Sequence, residues 1–256
     1  MSDEAAVQTE VRDGVLVITI NRPAARNAIN GDVARGIAAA LDRLDGEADL
    51  RVGVLTGAGG FFSSGMDLKG FLSGDVPIIE GRGLGGLTER PPRKPLIAAV
   101  EGYALAGGFE LVLACDLVVA GEGSRFGVPE VKRGLVAGAG AAVHLPQRIP
   151  PAIALELLLT GDPIEAGRAA QLGLVNRVVP DGSAVDAAVE LAGTIAANGP
   201  LAVAVSKQIA LTAPDWSFAD RWHKQGELMS SVFMSEDAQE GARAFAEKRA
   251  PVWKGR

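Results

Sequence analysis

Four short runs of β-branched and small apolar residues, 15–20, 51–56, 96–100 and 116–120, recur along the first half of the chain. Glycine, proline or asparagine bounds most of them, so each reads as a strand too short to be a helix. Between the first two, Val33, Ile37, Ala40, Leu41 and Leu44 fall at helical spacing over 31–45. Helical patterns separate most of the other runs as well. Parallel neighbours cannot be joined by a tight turn and need a crossover, usually a helix. Strand and helix repeated in this way predict an α/β fold built on parallel pairing.

Beyond residue 180 the pattern changes. The spacing predicts helices over 183–198, 200–211, 216–233 and 236–248, punctuated by Asn198-Gly-Pro200 and Ala213-Pro-Asp215. A chain of 256 residues is long enough for about one to two domains. We expect a core over 1–198 and a helical region over 199–256. Trp216, Phe218, Trp222 and Phe233 form a stripe there, which either packs as core or meets another subunit.

Composition narrows the function. Hydrophobic residues make up 48% and charged residues 22%, as in ordinary globular chains. The net charge of −6 argues against a nucleic-acid binder, which shows a basic stripe. Cys115 is the only cysteine, so no intramolecular disulfide forms, and a cytoplasmic location is expected. The N-terminus is acidic and polar, unlike a secretory signal, and no stretch is apolar enough to span a membrane. Only His144 and His223 are available to a catalytic triad, and no nucleophile elbow is present. Metal-ligand spacing is also missing, so no metal site is expected. The sequence GRGLGG at 81–86 has the glycine spacing of a dinucleotide loop. No strand precedes it and the prolines after it prevent a long helix, so 73–92 reads instead as a lid over a pocket.

The chemistry concentrates in three segments. A strand ends near Val100, a glycine turn follows, and a helix begins near Gly107 with Gly108 and Glu110 in its first turn. Backbone N–H groups at a helix start have no intrahelical partner, and the helix dipole adds positive potential there. Such an end suits an oxygen that gains negative charge during a reaction. Glu110, three residues on, shares a face with Gly107. The turn at 61–68 is a second candidate, with Gly65 and Met66 read as a helix start and Asp67 in its first turn. In the third segment Glu130 follows Pro129, which suits the first position of a short helix. Taken singly, each has an ordinary explanation: a dipole partner, a turn, a surface carboxylate. Asp116 reads as a buried hydrogen-bonding residue, and His144 as a packing or helix-end residue.

Together these segments resemble the crotonase (enoyl-CoA hydratase/isomerase) superfamily. The resemblance runs from Asn21-Arg-Pro and Arg26-Asn-Ala28 through FSSGMDL, KPLIAAVEGYALAGGFELVLACD, FGVPEVKRGLVAGAG and LTGDPIEAGRAAQLGLVNRVV to EGARAFAEKRAPVWKG. It implies an α/β spiral of ββα units followed by a C-terminal helical trimerisation region, in a homo-oligomer that is a trimer or a dimer of trimers. It implies an acyl-CoA thioester as substrate, no separate cofactor, and no nucleic-acid or membrane partner. The implied oxyanion hole is the N–H groups of Met66 and Gly107. Substrate and CoA contacts are implied at Ala25, Arg26, Ala28, Ser64, Gly65, Asp67, Leu68, Tyr103, Leu105, Gly108 and Pro129. Lys248 matches a lysine that reaches CoA from a neighbouring subunit.

Both Glu110 and Glu130 are present, as in hydratase-like members, whereas many isomerases keep one. The resemblance therefore implies reversible addition of water to a 2-enoyl-CoA. Met66 and the ending AFAEKRAPVWKG also resemble crotonobetainyl-CoA hydratase (carnitinyl-CoA dehydratase) relatives. An isomerase and a catalytically silent CoA-binding member are the remaining alternatives.

Overall fold

A computed structural model describes residues 5–256; the first four residues of the polar N-terminus lie outside it. The first strands are β1 (Val7–Arg12) and β2 (Val15–Ile20), and helix α1 (Gly31–Gly46) leads to β3 (Val52–Gly57). Helix α2 (Leu68–Leu72) and a small hairpin of β4 (Ile78–Ile79) and β5 (Gly83–Leu84) precede β6 (Leu96–Val100). Then come β7 (Tyr103–Leu105), α3 (Gly107–Ala114), β8 (Leu117–Gly121) and β9 (Arg125–Gly127). Helices α4 (Ala141–Arg148) and α5 (Pro151–Thr160) are followed by β10 (Ile164–Glu165), α6 (Ala166–Gln171) and β11 (Arg177–Val179). The chain closes with α7 (Ala184–Ala196), α8 (Pro200–Thr212), α9 (Arg221–Phe233) and α10 (Glu236–Glu247).

The main sheet has the order β1-β2-β3-β6-β8-β11. Only β1 pairs antiparallel; every other neighbour is parallel, as the crossovers require. A second sheet, β10-β9-β7, stands beside it. The main strands are buried on both faces, so they read as continuous apolar runs. Leu16, Ile18, Leu96 and Ala98 face the larger core with α1 and α3. Val15, Val17, Ile97 and Ala99 face the other way. There Ala184, Ala188 and Ala192 cover them, one turn apart along α7. Small residues on that stripe let the helix sit close to the sheet.

The last helices differ. No residue of α8 or α9 is buried. Phe218, Trp222, Phe233 and Phe245 stand exposed. The helix predicted from 216 begins only at Arg221, because Ser217 Oγ takes the Asp220 N–H and turns the chain first. The 73–92 stretch, read as a lid over a pocket, reaches into the interior. Its middle, 83–88, is buried, with Leu84 and Leu87 in the core. Among the described residues, no single helix is long and apolar enough to cross a membrane.

Candidate active site

The loop after β2 is zipped onto the turn after β3. Asn27 is fully buried at φ +54, a left-handed conformation that asparagine tolerates. Its carboxamide accepts the Arg22 N–H at 2.9 Å and donates to Ala58 O at 2.8 Å and Phe61 O at 2.7 Å. Ser63 Oγ donates to Asn27 O, and Arg22 pairs with Asp67 at 2.9 Å. We expect Asn27→Ala to cost about 3 kcal/mol in urea unfolding, because three half-buried partners lose their bonds at once. An unchanged midpoint would contradict this role.

Ile29 and Met66 form a parallel bridge: Ile29 N–H donates to Gly65 O and Asp67 N–H donates to Ile29 O, both at 2.8 Å. Successive N–H groups of an extended chain point to opposite sides. The Met66 N–H therefore points away from the bridge and, among the described residues, has no hydrogen-bond partner. This corrects the expected helix start at 65–66. Helix α2 begins at Leu68, and Asp67 is its N-cap, accepting the Gly70 N–H at 3.2 Å. That amide, followed by burial against it and then Arg22, holds the Asp67 carboxyl below its ordinary range.

The second amide arises from a strained turn. Ala106 sits at φ +52, ψ −131, a conformation that an L side chain rarely adopts. Its N–H is anchored on Gly127 O at 2.9 Å, and its carbonyl takes the Phe109 and Glu110 N–H groups. The Gly107 N–H is left without a partner among the described residues. Glycine is needed where the two turns meet. A Cβ at Gly65 would lie 2.7 Å from Ala106 Cβ, and one at Gly107 would lie 3.5 Å from Met66 N. Two unpaired N–H groups thus converge in one small space.

Glu110 is 4% exposed on the first turn of α3. Its Oε1 accepts the Ala139 N–H at 2.7 Å and the Ala141 N–H at 3.1 Å, at the start of α4. Burial pushes its carboxyl above the ordinary 4.5, the Ala141 amide pulls it back, and nearby Glu130 pushes it up again. Glu130 follows Pro129, the first residue of a single 3-10 turn over Pro129–Arg133. Its Oε2 is the one buried side-chain oxygen or nitrogen without a hydrogen-bond partner among the described residues. Burial raises the Glu130 carboxyl too, against its own backbone amide and Arg133, which lower it. A group with a raised folded pKa stabilises the fold below its unfolded pKa and loses that contribution as pH rises through the folded value. Glu130→Gln should therefore raise Tm near neutral pH, and the gain should vanish below about 4.5. A variant that melts below the parent at neutral pH would contradict the burial of an unpaired carboxyl.

Both carboxylates and both amides line one cavity of about 580 Å³. A family model described as enoyl-CoA hydratase/isomerase matches residues 10–256. The chain belongs to that family. A crystal structure of enoyl-CoA hydratase from Mycobacterium tuberculosis H37Rv superposes with a TM-score of 0.97 at 58% identity, covering 99% of this chain and 100% of that one. Enoyl-CoA hydratase EchA19 of the same organism is 44% identical over 265 residues, 96% of each chain. Carnitinyl-CoA dehydratase from Salmonella typhi is 43% identical over 250 residues, 94% of this chain and 95% of that one.

In this enoyl-CoA hydratase/isomerase family member the cavity gathers Arg26, Ser64, Met66, Leu68, Leu105, Gly107, Glu110, Pro129 and Glu130 from the sequence expectation. The other expected residues stand outside its lining. Ala25 lies on an exposed 3-10 turn, and Ala28 is buried with its carbonyl on Arg22. Gly65 and Asp67 serve the bridge and the cap just described. Gly108 packs on Ser63, where a Cβ would meet the carbonyl at 2.5 Å. Tyr103 is exposed and its ring stacks on Phe61 at 6.2 Å. Lys248 ends α10 in a left-handed cap at φ +54.

Sequence reading missed Arg133, the amides of Ala139 and Ala141, and the apolar wall of Ile78, Leu84, Leu135 and Val136. The glycines around Ala139 were the available signal for the amides. His144 is half-buried on α4 and lines no part of the cavity. A larger cavity of about 770 Å³ lies between α8 and 91–95. Its lysines are already bonded: Lys207 to Asp116 at 2.7 Å, and Lys94 to the carbonyls of Leu44, Glu47 and Leu50.

Proposed function

We propose that this chain catalyses reversible addition of water to a 2-enoyl-CoA thioester, as a hydro-lyase. The observation that carries the reading is one cavity lined by two unpaired backbone amides and two carboxyl groups held in opposite ways. Two amide N–H bonds favour the ionised form of Glu110, whereas Glu130 Oε2, with no donor, favours the neutral acid. Glu110 is then the base and Glu130 the acid. Water attacks the β-carbon and gives its proton to the Glu110 carboxylate. The double-bond electrons move onto the thioester oxygen, which the Met66 and Gly107 N–H groups hold. The enolate collapses as Glu130 gives its proton to the α-carbon. The general acid and the general base each supply about two to four orders of magnitude, and each oxyanion donor about two to three.

Arg26, Ser64 and Leu68 flank the thioester in this reading, and no separate cofactor takes part. The exposed Phe218, Trp222, Phe233 and Phe245 suit a homotrimer or a dimer of trimers, which would also bring Lys248 to a neighbour's CoA. The single, fully buried Cys115, its thiol pushed far up by burial, suits a reducing cytoplasm.

The test is loss of the conjugated-enoyl absorbance of crotonyl-CoA. Turnover by the folded protein is expected, and a folded, CoA-binding protein that leaves crotonyl-CoA and longer enoyl-CoA thioesters unchanged would overturn the reading. A second reading takes crotonobetainyl-CoA as substrate, favoured by likeness to carnitinyl-CoA dehydratase and by Glu89 on the cavity wall. Among the described residues no aromatic ring lines the cavity to hold a quaternary ammonium, and Arg133 opposes one. Crotonyl-CoA is therefore expected to turn over faster than crotonobetainyl-CoA.

A further inference from the structure

The segments that carry the site each run on into exposed apolar side chains. Two residues beyond Met66, α2 begins, and its Leu68, Phe71 and Leu72 lie at helical i, i+3 and i+4 positions on one side. Although three of its five residues are large and apolar, α2 buries none of them, and Leu72 is 86% exposed. Beyond Glu130 the chain reaches Leu135, whose N–H donates to Glu130 O at 3.1 Å, and then Val136, 72% exposed. Three residues later Ala139 holds Glu110. The stretch that ties the two carboxyl groups together therefore also presents two bare apolar side chains. The hairpin adds Ile78, also exposed. Leu68, Ile78, Leu135 and Val136 all line the reaction cavity.

Leu68, Ile78, Leu135 and Val136 thus form an apolar edge of that cavity, and an exposed apolar surface of this kind marks a place where something apolar lies. Its continuity with the cavity names the occupant. The polar ends of the lining, Arg26 and Ser64, suit the CoA side, and the rim suits the other end of the same molecule.

Resting on the enoyl-CoA reading above, we propose that the site is built for a long, neutral apolar acyl chain, whose distal part lies on the rim formed by Leu68, Ile78 and Leu135–Val136. The short acyl group of crotonyl-CoA leaves that rim uncovered. A longer chain covers it, and each methylene removed from water strengthens binding by about fourfold.

The experiment is kcat/KM for crotonyl-, octenoyl- and dodecenoyl-CoA, below the concentrations at which the thioesters form micelles. We expect at least a tenfold rise from crotonyl- to dodecenoyl-CoA. Ile78→Ser and Val136→Ser, both at exposed positions that do not threaten folding, should cut the dodecenoyl-to-crotonyl ratio at least fivefold. A flat or falling series, with crotonyl-CoA turned over and the ratio unmoved by the variants, overturns the inference and leaves the hydratase reading standing. The same holds if sedimentation shows that the variants weaken self-association while the ratio stays fixed, because the rim then meets a second copy. No hydration at any chain length overturns both.

Discussion

Glu110→Gln and Glu130→Gln each lower kcat for crotonyl-CoA by about two to four orders of magnitude, the range that a lost general acid or base accounts for. Neither side chain is needed to fill space, since glutamine has the same size. The two variants differ in what else they disturb. Glu110 Oε1 holds the Ala139 and Ala141 amides, and a glutamine oxygen can keep both bonds, so the start of α4 survives. Glu130 Oε2 holds no hydrogen-bond partner among the described residues, so its replacement removes the proton supply without breaking a hydrogen bond at that oxygen. The parent's kcat/KM should follow a bell-shaped pH profile, with the acid limb set by Glu110 and the alkaline limb by Glu130. Both carboxyls are raised above 4.5, which moves the window toward neutrality. Glu110→Gln should remove the acid limb from the residual activity and Glu130→Gln the alkaline one. Loss of less than tenfold in either variant would place the proton transfer elsewhere.

Gly107→Ala is the second large effect. Gly107 has an ordinary helical φ, and its neighbour across the site is the flexible end of Leu84, 2.6 Å from the added Cβ. A small shift of that side chain accommodates the methyl, so the fold is expected to hold and Tm to stay close to the parent. Activity is not. The methyl enters the space between the Gly107 and Met66 amides, 3.5 Å from Met66 N, where the thioester oxygen must sit. We expect kcat to fall about a hundredfold or more, the usual cost of losing an oxyanion donor, with a smaller change in affinity for CoA itself. Full activity in a folded Gly107→Ala protein would show that the oxygen binds elsewhere.

These expectations rest on features that the sequence disclosed unevenly. The strand at Val15–Ile20 and the helix at Gly31–Gly46 were legible because their patterns are local: β-branched runs for one, apolar residues at helical spacing for the other. The turn at Gly65–Asp67 was not, because an N-cap aspartate and a first-turn aspartate look alike in sequence and only the bridge to Ile29 separates them. Glu110 and Glu130 were singled out by their place beside glycine and proline, but each has a commonplace surface reading; the ordered family motifs raised them above it. The amides of Ala139 and Ala141 carry no side-chain signature of their own, and only the neighbouring Gly138 and Gly140 signalled them. Tyr103 entered only through the family resemblance, and its ring stacks on Phe61. The exposed face of α2 was illegible for a different reason. A leucine-rich turn predicts burial, and only the structure shows that α2 buries none of its residues.

The central claim is that water adds across the double bond of an enoyl thioester. The most direct measurement is mass spectrometry of the product formed from crotonyl-CoA in water labelled with heavy oxygen. The account predicts a 3-hydroxyacyl-CoA carrying one labelled oxygen on the β-carbon, at the rate at which the enoyl absorbance disappears. A product with its double bond moved and no labelled oxygen would contradict it and assign the same cavity to isomerisation.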